Sequence, residues 1–313
     1  MLLILPFLAA AYVGLNYYFP YHLPEDGAHF GLWGNFLPQS SWTSQIIAPA
    51  FVFAEALLIN MLYNRNEFMD RNTYTPALLY LTLLSTFHCF YFLDGFAVAQ
   101  FCLVMAMDQL FQLYQNEDGR KRVFNTGFWL GLACTFHPLL VFVLVVAFGL
   151  IWVIRPFIMR ESALLAIGFL VPLLYGAFYV AWSVIVIEKE QVTATSFQLN
   201  IEDVVMIGGL TFLFITLSFG TLNRKFQQSS IRLKKLFRIV LILINFTLML
   251  TIFEYYFFGK KEGLAMVFVP LMFVLPYAFG YKKLRDVSTV TYYVLFLFTT
   301  ARFIFPLQFM EFG

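Results

Sequence analysis

The sequence predicts an all-α, polytopic integral membrane protein with about eleven membrane segments, its N-terminus inside and its C-terminus outside. Three observations carry this. Of the 313 residues, 61% are hydrophobic and 12% are charged. That is about half the charge of a soluble domain, too little to cover a water-exposed surface. Apolar stretches of span length follow one another from end to end, and a span needs about 20 such residues. The basic residues are also distributed unevenly over the connecting loops, as described below.

In chain order the segments are 1–19, 45–63, 75–93, 95–114, 124–136, 138–154, 162–184, 202–220, 237–257, 264–280 and 288–306. The first lacks a Lys or Arg in front. It runs into bulky Tyr17, Tyr18 and Phe19 instead of a small-residue cleavage site, so it reads as a retained span and not a signal peptide. The stretch 124–154 is too long for one span and short for two. Pro138 has no amide hydrogen and disfavours helix at His137, so two short helices, 124–136 and 138–154, are expected to meet part-way through the membrane. The segments 75–93 and 264–280 read as continuous spans.

With the N-terminus inside, the inner loops hold 16 of the 20 basic residues, Arg65, Arg120 to Arg122, Arg224 and Lys283 among them. The outer loops hold Lys189, Lys260 and Lys261, and Arg302 lies within the last span. One span missed or added would invert every later loop and destroy this bias. The outer loops are acidic: Glu25, Asp26, Asp94, Glu188, Glu190, Glu202, Asp203, Glu262 and Glu311. No loop is long enough for a folded domain. The chain is one membrane domain, and its chemistry belongs at the membrane surface or within it. The basic loop Arg224 to Arg238 reads as a topology signal and an anionic-lipid contact, not as a nucleic-acid site.

Cys89, Cys102 and Cys134 sit in apolar stretches without a CxxC pairing, which indicates neither a disulfide framework nor a thiolate metal site. No Walker loop, dinucleotide fingerprint or HExxH is present. The first outer loop places His22, Glu25, Asp26 and His29 within eight residues. These could ligate a divalent cation, or one carboxylate could serve as a base. The same Pro-Glu-Asp-Gly run also reads as a plain solvated turn. Tyr17, Tyr18, Tyr21, Phe30, Trp33, Phe36 and Trp42 would set an interfacial aromatic belt beside it. Glu55, mid-span, and His137, at the helix break, are intramembrane polar candidates, each with a packing role as the alternative. Asp108 reads as interfacial. Arg302 could snorkel to lipid phosphate.

Two stretches carry a resemblance. Ser44 to Ser85 has an acid-bearing span, Asn60 and Asn64 at its inner end, an Asn64-Arg65-Asn66-Glu67 loop and a Tyr74-Thr75-Pro76-Ala77 entry. Gln112 to Val180 runs through Thr126-Gly127-Phe128-Trp129-Leu130-Gly131-Leu132-Ala133 to Phe136-His137-Pro138, then Arg155, Arg160 and Gly168-Phe169-Leu170-Val171-Pro172. Residues 1–184 resemble the GT-C class of membrane glycosyltransferases, with 185–313 as additional transmembrane helices. Over its full length the chain also resembles an inner-membrane family of Bacteroidota. The resemblance implies residence in the bacterial inner membrane and transfer of a sugar from a polyprenyl-phosphate donor at its outer face. Glu25 or Asp26 would take the place of the class's loop-one carboxylate. Arg302, Lys260 and Lys261, or a divalent metal, would face the lipid phosphate. The alternative is a non-catalytic integral-membrane subunit of a cell-envelope complex for secretion, motility or glycan assembly, with membrane-protein partners.

Overall fold

The computed structural model describes residues 4–20, 31–33, 42–114, 118–154, 158–186, 201–258, 263–280 and 282–304. Among them are eleven α-helices and no strand. These are α1 (Ile4–Tyr18), α2 (Trp42–Arg65), α3 (Thr75–Leu84), α4 (Gly95–Leu113), α5 (Arg120–Phe136), α6 (Val143–Ile154), α7 (Met159–Val186), α8 (Ile201–Gln228), α9 (Ile231–Phe258), α10 (Gly263–Leu271) and α11 (Lys282–Ile304). Each apolar segment read from the sequence thus contains one helix. Five helices, α2, α4, α7, α8 and α9, are long and apolar enough to cross a membrane on their own.

Polar contacts define two ends of the bundle. At the basic end Arg65 pairs with Asp108, Lys225 with Asp70, and Arg122 donates to Gln109 at 2.9 Å. The Lys235 ammonium donates to the last carbonyl of α6 there, at 2.8 Å. At the far end the Leu93 amide donates to Ser44 Oγ at 3.0 Å, and Arg302 to the Thr86 carbonyl at 3.0 Å. Asp108, read as interfacial, is held by Arg65 and by Gln112.

Two expected spans are not continuous helices. α3 carries Pro76 in its first turn, where the missing amide hydrogen costs nothing. It stops after ten residues. The Ser85 and Thr86 hydroxyls turn back onto the Thr82 and Leu83 carbonyls, offering those groups an alternative to continued helix. A tight turn at His88–Phe90 follows, and Asp94 caps α4 by accepting from the Ala97 amide at 2.8 Å. α10 likewise stops after nine residues, past Pro270, and the chain continues through a second tight turn, Leu275–Phe279, that opens with Pro276. Both short helices are buried in the middle of the bundle, and the Phe87 and Phe268 rings meet between them at 5.7 Å. Hydropathy cannot register such breaks, because the broken stretches stay as apolar as a helix would be.

The break at His137 is present. His137 adopts extended backbone at the end of α5, and Pro138–Phe142 forms a tight turn before α6. Its depth differs from the expectation. α5 begins at Arg120, four residues earlier than expected, and the Arg120 amide is met by Asp118. Its 17 residues extend about 25 Å at 1.5 Å per residue. That carries the junction from the basic end to the far end of the bundle, so it does not lie part-way along. α5 and α7 pack most intimately of all, through Gly127, Gly131 and Gly168, each facing partner backbone.

Candidate functional site

Of the described candidate groups, His137 and Arg302 lie at the far end. The segment carrying His22, Glu25, Asp26 and His29 lies outside the described residues, as do Lys260 and Lys261. Its two flanks are described. On one side α1 ends at Tyr18, followed by Phe19 and Pro20. On the other, Gly31–Trp33 forms a single turn pressed onto the ends of α5 and α7. The Trp33 indole donates to Thr135 Oγ1 at 3.0 Å, and its ring lies 5.3 Å from Tyr179 and 6.3 Å from Phe136. Gly31 takes a left-handed φ of 59°. A Cβ there would come within 2.4 Å of the Thr135 and Phe136 carbonyl oxygens. Only glycine fits both constraints. Gly31→Ala is therefore expected to lose at least the ~1–2 kcal/mol of a left-handed non-glycine residue. Thermal unfolding beside Gly14→Ala, a site with open space around its Cβ, checks this.

A groove of about 860 Å³ runs between α1 and α2 and ends beside Pro20, where the acid-bearing segment begins. Its shaft is apolar, with Pro6, Val13, Pro49 and Phe53 on the two helices and Tyr91 and Phe92 from the irregular stretch before α4. Its few polar groups are those of Asn16, Tyr17, Gln45 and Tyr91.

His137 Nε2 lies 3.8 Å from Glu254 Oε1, across from α9, and its ring meets the edge of Phe96 at 5.4 Å. Both side chains are nearly enclosed. Glu254 also lies against Gly263, where a Cβ would meet its Oε2 at 2.3 Å and displace the carboxylate. Arg302 is turned inward. Its side chain is 1% exposed, and beside its bond to the Thr86 carbonyl it lies 3.8 Å from Asp203 Oδ2 of α8. The carbonyl it meets is freed by the unwinding after α3.

Glu55 sits apart from these, in the middle of α2 and wholly buried. The Tyr80 hydroxyl donates to its Oε2 at 2.8 Å. Gln100 on α4 and Asn60 on α2 are likewise buried polar residues. Tyr80, Glu254 and Asp203 are thus site residues that reading for motifs did not single out as such. An acid inside the apolar run 237–257 was the available signal for Glu254.

The basic end carries a second, polar cavity of about 700 Å³, between the loop after α2 and the α8–α9 junction. Arg232 reaches across it to Asn66 Oδ1 at 3.2 Å. Among the described residues no three His, Cys, Asp or Glu side chains group as a metal site. Comparison with protein families, curated proteins and solved structures found no match for this chain.

Proposed function

We propose that the protein is a multi-pass bacterial inner-membrane enzyme that takes a polyprenyl-phosphate-linked sugar in the α1–α2 groove and transfers the sugar at the outer face. The supporting observation is that the groove ends beside Pro20, five residues before Glu25 in the sequence. An apolar shaft suits an isoprenoid tail, and the polar groups of Asn16, Tyr17 and Gln45 suit the headgroup end. In this reading the basic end is cytoplasmic, all eleven segments cross, and the far end faces outward.

The chemistry asked of the loop is modest. One carboxylate, Asp26 or Glu25, accepts the proton of the acceptor hydroxyl. The acceptor oxygen forms a bond to the anomeric carbon as the bond from that carbon to the phosphate oxygen breaks. The lipid phosphate leaves with the electron pair. Lys260 and Lys261 are the cations proposed to stabilise it. Arg302, enclosed against Thr86 and Asp203, contributes positive potential to that end and holds the unwound strand in place.

Gly14 gives a direct test, because it lines the groove and has open space where a side chain would project. Gly14→Trp should fill the shaft without unfolding the protein. Crosslinking of a photoactivatable polyprenyl phosphate to the full chain should fall at least tenfold, and undiminished crosslinking would remove the groove from the proposal. The topology is checked by reporter fusions. Arg120 and Lys283 should report cytoplasm, and Gly34 and Gly313 the outer side. A cytoplasmic signal at Gly34 would invert the whole arrangement.

A further inference from the structure

The order and direction of the helices repeat. α2 runs from the far end to the basic end, and α9 runs the other way. Each is followed by a short helix that starts where it ends, α3 at the basic end and α10 at the far end. Each short helix unwinds half-way and continues through a tight turn to the opposite end. The next full helix begins after a closely similar interval, Thr75 to Gly95 in one half and Gly263 to Lys282 in the other. α1 and α8, which lead into the two sets, are also opposed. α3 touches α10, α11 touches α3 and α4 touches α10, as an axis lying across the bundle requires. Inverted pairs of discontinuous helices are the arrangement in which membrane carriers hold coupling ions, close to the crossing of the two halves.

The acid packed against the discontinuous helix of the first half is Glu55. It is fully buried, and Tyr80 of the discontinuous α3 donates to Oε2. Its other oxygen, Oε1, has no hydrogen-bond partner among the described residues, and neither does the buried Gln100 Nε2 of α4. Among the described residues no basic side chain is bonded to Glu55. The titratable groups that interact electrostatically with it are Tyr80 from α3, Asp94 at the cap of α4 and Cys102 from α4, while Cys89 interacts with Tyr80. α1 has no acidic, basic or imidazole side chain. A bare carboxylate without a cation is costly in such a place, whereas the neutral acid carries no charge to desolvate.

We propose that Glu55 is an exchangeable proton-binding site beside the discontinuous helix α3. The ligand is a proton, taken up on Oε1 while Tyr80 donates to Oε2. The proposal depends on neither the groove nor the acids of the first outer loop.

Infrared spectroscopy of the purified full-length protein in lipid tests it. A carbonyl band of a protonated carboxyl should be present at neutral pH, should shift in heavy water, and should vanish as pH rises. The band should be absent from Glu55→Gln, which keeps the shape of the neutral acid and so keeps the fold. Mass-mapped labelling of the wild-type chain with dicyclohexylcarbodiimide, which attacks protonated carboxyls in apolar surroundings, should find Glu55. It needs no variant. A band that ignores pH and heavy water, a band retained in Glu55→Gln, or labelling that spares Glu55 while reaching other acids would each overturn the proposal.

Discussion

Gly131→Val is expected to be the most destabilising single substitution in the helix bundle. A Cβ at Gly131 would lie 2.2 Å from the Phe169 carbonyl oxygen, and one at Gly127 would lie 2.3 Å from that of Leu165. From the other side, a Cβ at Gly168 would lie 2.3 Å from the Phe124 carbonyl oxygen. The obstacle at all three sites is backbone, so no side-chain rotation relieves it. Gly127 and Gly131 stand one turn apart, and small residues at that spacing let helix backbones approach closely. Separating α5 from α7 also disturbs the Trp33 contact with Thr135 and Tyr179. Overpacking of a close contact costs about 1–3 kcal/mol, and backbone displacement adds to it. The value for Gly131→Val should reach the top of that range. Gly149 and Gly208 have open space around their Cβ positions. Alanine there should instead stabilise, by up to the ~1 kcal/mol that separates glycine from alanine in a helix. Thermal unfolding of the set in one detergent separates the two classes. Equal effects at Gly131 and Gly149 would refute the close packing.

The largest expected effect on activity is that of Glu25→Gln combined with Asp26→Asn. If one of these acids takes the acceptor proton, its loss should lower sugar transfer by about 10² to 10⁴. The two are replaced together because adjacent carboxylates in one loop can substitute for each other. Stability should stay within about 0.5 kcal/mol of wild type, as is usual for surface substitutions away from packing features. Transfer is measured in membranes supplied with a radiolabelled polyprenyl-phosphate sugar, beside the Gly14→Trp protein. Loss in the double variant with lipid crosslinking intact assigns the acids to chemistry, and loss in Gly14→Trp alone assigns the groove to binding. Full cellular function from the double variant would favour the non-catalytic subunit, in which partner contacts on an exposed aromatic face such as that of Tyr175 and Phe178 matter instead.

Much of the architecture is written in composition and period. Low charge and repeated apolar runs determine an all-helical chain, and the eleven runs each deliver a helix, because in lipid the backbone must bond within its own segment. Pro138 determines a break at His137 by local sterics alone. The tertiary structure decided how deep that break lies, since the charged residues Arg120 to Arg122 join α5 and lengthen it. It also decided that 75–93 and 263–280 unwind. An unwound backbone is tolerable only where neighbours satisfy it, as Arg302 does for Thr86 and the Tyr91 hydroxyl does for Ser85. Those partners are more than two hundred residues away in one case and six in the other, and hydropathy counts neither. The candidate residues follow the same division. Glu55 and His137 stand out in sequence because charge or imidazole in an apolar run is costly. Their partners Tyr80 and Glu254 come from other helices, and only packing brings them within reach.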